Sequence, residues 1–231
     1  MATLQTIQHF QKFSELLESP VLEIGSLIDP SYTQHKPLDI HQGGKPGEYI
    51  GVDIFHGEGV DHVINLCKVE ELEKLPLKKF KTIHCHYVME HVTDIFSMAK
   101  NIEALLDDGG VLLFSVPFSW RLHRIPVDMW RFTPQSIDYL FPNVEFIDEK
   151  SALSVRNGNK TFKIDQFPEF DFGSRLESYP GYIKWYVRLL RKLKLHNNVF
   201  NQRALLYETN LMMFGVKRNK PVYTYIDPQF V

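Results

Sequence analysis

The chain has 231 residues, a length that fits one α/β domain with insertions better than two complete domains. Apolar residues make up 44% and charged residues 23%, and the net charge is −2 with histidine neutral. These values are ordinary for a soluble globular protein and argue against a generally basic surface that binds nucleic acid.

The pattern of cysteines and apolar runs indicates a cytoplasmic protein. Cys67 and Cys85 lie within apolar segments, so we expect free thiols in a reducing compartment rather than a disulfide. The first 20 residues have no continuous apolar core of the kind that signal peptides carry, and no later run is long enough to span a bilayer.

Predicted strands and helices alternate along most of the chain. Apolar residues recur at helical spacing over residues 6–18. Apolar runs bounded by turn residues predict strands, and amphipathic segments predict helices. The strands are expected at 21–24, 48–55, 62–66, 81–88, 111–117, 144–150 and 210–219, the later helices at 94–106 and 134–141, and a long loop at 29–47. This order predicts a doubly wound, mostly parallel α/β sheet of seven strands.

We divide the chain into three parts. Residues 1–20 form an N-terminal helix and a possible lid, and residues 21–150 with 207–219 form the main domain. Residues 151–206 are an inserted helical segment for a lid, a substrate contact or a dimer contact. Its basic amphipathic stretch, 182–196, packs one face on the domain or, less favoured, lies on a membrane surface. We expect a monomer or homodimer.

Ligands of open α/β sheets bind outside the carboxyl ends of the strands. The first strand ends in Gly25, whose freedom lets the backbone approach a ligand, but no further glycines follow to cradle a pyrophosphate. The second strand ends in Asp53, which suits the paired hydroxyls of a ribose. An adenosine ligand without phosphates and with a positive centre fits this pattern, and S-adenosylmethionine is such a ligand.

Taken in order, "VLEIGS", "YIGVD", "VINL", "HCHYVMEHV" and "GGVLLFSVPF" resemble the class I S-adenosylmethionine-dependent methyltransferases. The phrase "PVDMWRFTPQSI" is similar to a stretch seen in the broad group of these enzymes that is often met beside glycan and natural-product genes. The resemblance covers residues 21–150 and the last strand. It implies a Rossmann-like methyltransferase sheet whose last strand is antiparallel, and S-adenosylmethionine as the cofactor.

The resemblance also implies cofactor contacts at the strand ends. They are Glu23, Gly25 and Ser26 for the methionine end, Asp53 for the ribose, Asn65 and Leu66 for the adenine, and His86 and Tyr87 near the sulfonium. Three of these residues have a plainer alternative. Glu23 pairs with a buried basic group, Gly25 makes a tight turn, and Asp53 caps a turn.

Histidines supply the candidate bases. A neutral imidazole at His86 or His123 can accept a proton from a hydroxyl or amine acceptor at neutral pH. The stretch "HCHYVMEH" also looks like a metal cluster, but zinc sites usually need three or four ligands of compatible geometry. Because His84 and His86 share one strand face and Cys85 points the other way, we predict no metal site there.

The stretch "FSWRLHRIPVDMWRF" follows the fifth strand, where a substrate pocket should open. Aromatic walls with a few polar groups are typical of small-molecule pockets. In one interpretation Phe118, Trp120, Arg124, Asp128, Trp130 and Arg131 bind substrate. In the alternative the loop folds back on itself, with Trp130 and Phe132 in the core and Arg131 paired to Asp128.

Three functions follow from these features. The first is methyl transfer to a small-molecule or glycan-like acceptor, by in-line displacement at the sulfonium methyl. The second is transfer or cyclisation of the aminocarboxypropyl arm of the same cofactor, releasing methylthioadenosine, which the altered first motif leaves open. The third is a non-catalytic relative that serves as a binding subunit.

Overall fold

The computed structural model describes residues 2–28, 35–41, 47–123, 127–155, 160–164, 181–192 and 208–222. Within these ranges, nine strands form one sheet. They are β1 (Val21–Ile24), β2 (Tyr49–Asp53), β3 (His62–Val63), β4 (Phe80–His86), β5 (Leu106–Ser119), β6 (Val144–Phe146), β7 (Ala152–Val155), β8 (Lys160–Lys163) and β9 (Thr209–Lys217). The spatial order is β3-β2-β1-β4-β5-β9-β7-β8, and β6 also pairs with β9.

Among the described residues, four α-helices accompany the sheet: α1 (Leu4–Phe10), α2 (Ile95–Leu105), α3 (Pro134–Leu140) and α4 (Gly181–Lys192). Short 3₁₀ segments lie at Gln11–Leu16, Pro37–Ile40, Val69–Lys74, Met89–His91 and Asp148–Lys150. The Asp94 carboxylate starts α2 by accepting from the Ser97 N–H at 3.0 Å. Thr133 and Ser136 form a reciprocal cap at the start of α3. Within the described ranges, the helices are too short or too polar to cross a membrane.

The strands β3, β2, β1, β4 and β5 are parallel, and both faces of the sheet are covered. On one face Ile24, Cys85 and Phe114 belong to the larger core cluster with residues of α2 and α3. On the other, Phe10 of α1 and Ile40 pack with Leu113 in a second cluster. This double coverage explains the nearly continuous apolar runs of β4 and β5.

The predicted fold class is confirmed, including the antiparallel last strand, since β9 runs antiparallel to β5. The described part of the chain places nine strands in the sheet, two more than the seven counted from the sequence. The nine-residue β9 is long enough to take two short strands along its outer edge: β6 pairs with 215–217 and β7 with 209–212. Unpaired edge groups of β9 thereby find partners. The segment from 151 onward thus begins inside the sheet.

Other elements differ in extent from the prediction. The helix expected over 6–18 is α1 followed by a 3₁₀ segment, and β3 has two residues. The helix of the basic stretch is present as α4, with Tyr182 and Trp185 74% and 65% exposed. Cys85 is buried and Cys67 half-buried, and both thiols are free. Most of the predicted loop 29–47 and of segment 151–206 lies outside the described residues.

Candidate functional site

A large cavity opens at the carboxyl ends of the parallel strands. Its volume is about 1360 Å³, and it is lined by residues that end or follow β1 to β5 together with residues of α1. A site at this edge is what a doubly wound sheet provides. Single-ligand sites usually measure about 300–1,000 Å³, so the cavity has room for two bound molecules.

Gly25 lies at the wall of this cavity, directly after β1. Its φ is +77°, and a Cβ built there would lie 2.4 Å from Val88 Cγ2. The Gly25 N–H donates to the Val52 carbonyl at 2.9 Å, which holds the turn against β2. Both the left-handed backbone and the close approach of Val88 therefore require glycine at this position.

Asp53 ends β2 and also lines the cavity. Its Oδ2 accepts from the Leu27 N–H at 3.3 Å and its Oδ1 from the Phe55 N–H at 3.0 Å. These two hydrogen bonds fix the Asp53 carboxylate between the loop that follows β1 and the loop that follows β2. Because a carboxylate accepts about four hydrogen bonds, each oxygen keeps capacity for one ligand hydroxyl.

The turn after β3 forms the next part of the wall. Asn65 Oδ1 accepts from the Cys67 N–H at 3.0 Å, which closes the turn. The Leu66 carbonyl accepts from Asn101 of α2 at 2.8 Å. Ile64 and Leu66 are buried and line the cavity with Met98. The result is a rigid, mainly apolar surface that suits a flat ring system.

Glu23 and Ser26 do not line this cavity but a smaller one of about 280 Å³. Gly25 borders both cavities. The Glu23 carboxylate accepts a hydrogen bond from the Tyr49 hydroxyl, and burial raises the pKa of Glu23. Since β1 directs Ile24 toward the large cavity, its neighbour Glu23 points to the opposite face of the sheet. The structure therefore separates the predicted methionine-end acid from the other predicted contacts.

His86 is also outside the cavity. It is 1% exposed, and its Nδ1 lies 3.0 Å from Ser115 Oγ and its Nε2 3.3 Å from His84 Nδ1. Its ring packs against Phe10 at 5.6 Å. Burial lowers the pKa of His86 to about 3, so the ring is neutral. This placement argues against the predicted role as a base, because the strand alternation turns His86 toward α1 rather than toward a ligand.

Tyr87, the next residue, does line the cavity. Its φ of 55° marks a sharp change of direction at the end of β4. The Tyr87 hydroxyl forms a 2.9 Å hydrogen bond with Thr6 Oγ1, which connects this strand end to α1. Burial raises the pKa of Tyr87 to about 12, so the phenol stays protonated.

A polar cluster that the sequence analysis did not select lies on the β4–β5 side. It consists of Glu90, His91 and His123, whose ligand atoms all lie within 4.8 Å of one another. All three line the cavity. Burial raises the pKa of Glu90 to about 8. Of these three only His123 was predicted as a site residue, although the position of "EH" just after the fourth strand was a usable signal.

The loop that follows β5 corresponds mainly to the second interpretation of its sequence. Trp130 packs against the core and donates its indole N–H to the Val92 carbonyl at 2.7 Å. Arg131 donates to Asp128 Oδ2 at 2.8 Å, which holds the pKa of Asp128 well below its usual range. Phe118 also packs against the core, whereas Trp120 lines the cavity. The predicted contact at Arg124 lies outside the described residues.

Comparison with known proteins gives the family. A family model described as a methyltransferase domain matches residues 8–157. An S-adenosylmethionine-dependent methyltransferase from Archaeoglobus fulgidus has a similar fold, with 14% identity and a TM-score of 0.50 over 91% of this chain and 92% of that chain. A second similar structure is 1,6-didemethyltoxoflavin-N1-methyltransferase from Burkholderia thailandensis with bound 1,6-didemethyltoxoflavin and S-adenosylhomocysteine. Its identity is 10% and its TM-score 0.51, over 93% and 79% of the two chains. No curated protein sequence matches significantly.

The match to the family model covers more than half of the sequence. The chain therefore belongs to the methyltransferase-domain family, of the class I, S-adenosylmethionine-dependent type. The predicted family, the Rossmann-like fold and S-adenosylmethionine as cofactor are confirmed. The activity at this level is S-adenosylmethionine-dependent methylation. The residues that contact the cofactor, and the acceptor, stay predictions.

Proposed function

We propose that the protein methylates a small-molecule or glycan-like acceptor that binds beside S-adenosylmethionine in the large cavity. One observation carries this proposal: a single cavity joins Asp53 on the β2 side to His123, which follows β5. The sheet order places β1 and β4 between these two groups, so cofactor and acceptor would occupy different parts of one space.

The residues of the β1–β3 side fit the cofactor. Gly25 brings the backbone after β1 to the cavity wall, and Asp53 keeps acceptor capacity for the two ribose hydroxyls. The turn at Asn65 and Leu66 offers an apolar surface for the adenine. Bound S-adenosylmethionine would supply an activated methyl group on its sulfonium. The protein would then contribute mainly orientation and exclusion of water.

The residues of the β4–β5 side suit a polar acceptor. Trp120 and Leu122 provide apolar contact area, and His123 lies among them as the candidate partner of an acceptor hydroxyl or amine. His123 stays our proposed proton acceptor, needed only when the acceptor group is protonated at neutral pH. Residues of α1, including Leu4 and Gln8, form the remaining wall and would exclude water from the reaction.

The first test is calorimetric titration of S-adenosylmethionine into wild type and Asp53→Ala. Loss of two hydrogen bonds to a charged acceptor should cost about 2–3 kcal/mol, or about 30- to 150-fold in affinity. The matched control is Asp108→Ala, whose carboxylate is 64% exposed and outside the cavity. Equal affinity in wild type and Asp53→Ala would contradict the ribose assignment.

The second test identifies the nucleoside product by mass spectrometry after incubation with fractionated small-molecule and glycan extracts. Formation of S-adenosylhomocysteine that depends on one fraction supports the proposal. Methylthioadenosine as the product would instead favour transfer of the aminocarboxypropyl arm. Failure of the wild type to bind S-adenosylmethionine would leave a non-catalytic binding subunit as the better explanation.

A further inference from the structure

Glu90, His91 and His123 form a compact set of metal-binding groups on the cavity wall. Glu90 Oε1 and His91 Nε2 are 4.0 Å apart, and the ligand atoms of all three residues lie within 4.8 Å of one another. Ligands on one transition-metal ion stand about 3–3.5 Å apart when each bond is about 2.1 Å. Small side-chain rotations would bring the three groups to that separation.

The Glu90 carboxylate points to a missing partner. The residue is 1% exposed, and within the described part of the chain its Oε2 has no hydrogen-bond partner. A buried carboxylate oxygen without a partner is costly, and native proteins normally satisfy such groups. The positive charge of Arg131 favours the ionised form of Glu90, but the Arg131 guanidinium is already paired with Asp128. Glu90 thus lines the cavity and has a buried carboxylate oxygen available as a ligand atom.

His91 is oriented as metal-bound histidines usually are, and His123 has a ring nitrogen without a partner among the described residues. His91 Nδ1 donates to the Val127 carbonyl, which leaves the Nε2 lone pair facing Glu90. His123 Nδ1 is buried 3.3 Å from Asp128 Oδ2 and has no hydrogen-bond partner among the described residues, whereas the backbone N–H of His123 donates to Asp128 Oδ2 at 2.9 Å. Carbonyl or carboxylate partners on the far ring nitrogen fix the tautomer and orientation of metal-bound histidines.

We propose that Glu90, His91 and His123 bind a divalent first-row transition-metal ion whose open coordination positions face the cavity. Two imidazoles and one carboxylate suit zinc, iron, cobalt or manganese, whereas magnesium and calcium prefer oxygen ligands. The three ligands come from the turn after β4 and from the loop after β5, so the strand ends position them. The site differs from the metal cluster rejected in the sequence analysis, because His84 and His86 take no part.

This site gives the proposed methyl transfer a second means of activating the acceptor, in which His123 holds the metal ion and water takes the proton in place of His123. That role rests on the proposed function. An acceptor hydroxyl on the metal ion loses its proton to water at lower pH than a free hydroxyl does. Its oxygen then forms the new bond to the methyl carbon as the sulfur–methyl bond breaks. The chemistry favours acceptors with one or two oxygen atoms able to reach the metal, such as vicinal hydroxyls or a hydroxyacid.

The test is a titration of metal-stripped protein with Co²⁺, followed by visible absorption, in wild type, Glu90→Gln and His123→Gln. We expect one Co²⁺ per chain in wild type and at least about tenfold weaker binding in each variant. His56→Gln is the matched control, because His56 is exposed and outside the cluster. Absence of Co²⁺ uptake by wild type, or equal affinity in His123→Gln, would overturn the site.

Binding of S-adenosylmethionine is measured in the same samples to separate the two proposals. Unchanged cofactor affinity in His123→Gln shows that this variant is folded, so weaker Co²⁺ binding then reports the loss of a ligand. If Glu90→Gln does not fold, His123→Gln decides alone. Metal binding without cofactor binding would overturn the proposed function and keep the site. Methyl transfer that is unaffected by stripping and restoring Mn²⁺ or Zn²⁺ would overturn the role in acceptor activation.

Discussion

Two groups of histidines lie close together in this chain and have opposite surroundings. His84 and His86, with His41, form a buried row in which neighbouring ring nitrogens are 2.9 and 3.3 Å apart. His91 and His123, with Glu90, lie on the cavity wall. The rings of the first group form hydrogen bonds within the protein. In the second group, a ring nitrogen of His123 and a carboxylate oxygen of Glu90 have no hydrogen-bond partner among the described residues and are available to a ligand.

The change between the two environments takes place within a few residues. β4 ends at His86, Tyr87 adopts a positive φ, and a 3₁₀ turn carries Glu90 and His91 over the strand ends. The Glu90 carbonyl accepts from the Met129 N–H at 2.9 Å, which ties this turn to the loop after β5. The comparison teaches that backbone direction, rather than residue type, separates a core histidine from a site histidine.

The largest expected effect that separates the two groups is on stability. His86→Ala removes a buried ring together with its hydrogen bonds to Ser115 Oγ and His84 Nδ1, so we expect a loss of about 2–4 kcal/mol in the free energy of unfolding. His123→Ala, at a half-exposed loop position, should cost less than about 1 kcal/mol. Urea unfolding of both variants makes the measurement. Equal losses would show that the two groups do not differ as described.

The pH dependence of stability gives a smaller effect. In the unfolded chain histidine titrates near about 6.5, whereas burial lowers the pKa of His86 to about 3. The unfolded state therefore gains the proton first, and the stability contributed by neutral His86 is complete above about pH 6.5. Below that pH it falls by about 1.4 kcal/mol per unit.

Replacing His86 by glutamine should remove the contribution of His86 to the fall in the free energy of unfolding below about pH 6.5. Urea unfolding at about pH 7.5, 6.5 and 5.5 compares wild type with His86→Gln, and the difference between them isolates one histidine from the others. Parallel stability curves for the two proteins would mean that His86 is not buried and neutral.

The smallest expected effect concerns Tyr87, which lies between the two histidine groups. Tyr87→Phe removes the hydrogen bond to Thr6 and should cost about 0.5–1.5 kcal/mol. Amide hydrogen exchange should become faster in α1 and stay unchanged in α3. Unchanged exchange in α1 would show that this bond does not hold the helix in place.

The sequence was sufficient to predict the central strands. Apolar runs bounded by turn residues indicated β1, β2, β4 and β5, and the ends of β1 and β2 identified Gly25 and Asp53 as residues at the ligand edge. Both line the cavity. These features are local: a buried parallel strand needs apolar residues on both faces, and a tight turn needs glycine.

Features that depend on tertiary contacts were not predictable. Because both faces of β4 are covered, alternation alone does not tell which face His86 shares with α1. The aromatic ring of Trp130 suits a pocket wall or a core equally well. The tertiary hydrogen bond from its indole N–H to the Val92 carbonyl, which holds it against the core, is not visible in the sequence. The strand β7 pairs with the free edge of β9, and β8 pairs in turn with β7. No local sequence pattern reveals these pairings.

One wall of the cavity is α1, a helix of only seven residues. Isolated helices of this length do not persist in water, so α1 depends on the packing of Ile7 and Phe10 and on its bonds to Tyr87 and Lys150. Detachment of α1 would uncover the cavity and expose a cleavable peptide in the same event. Protease cleavage near residue 8 should therefore slow as nucleoside occupancy rises, so the cleavage rate reports the fraction of protein with an occupied cavity.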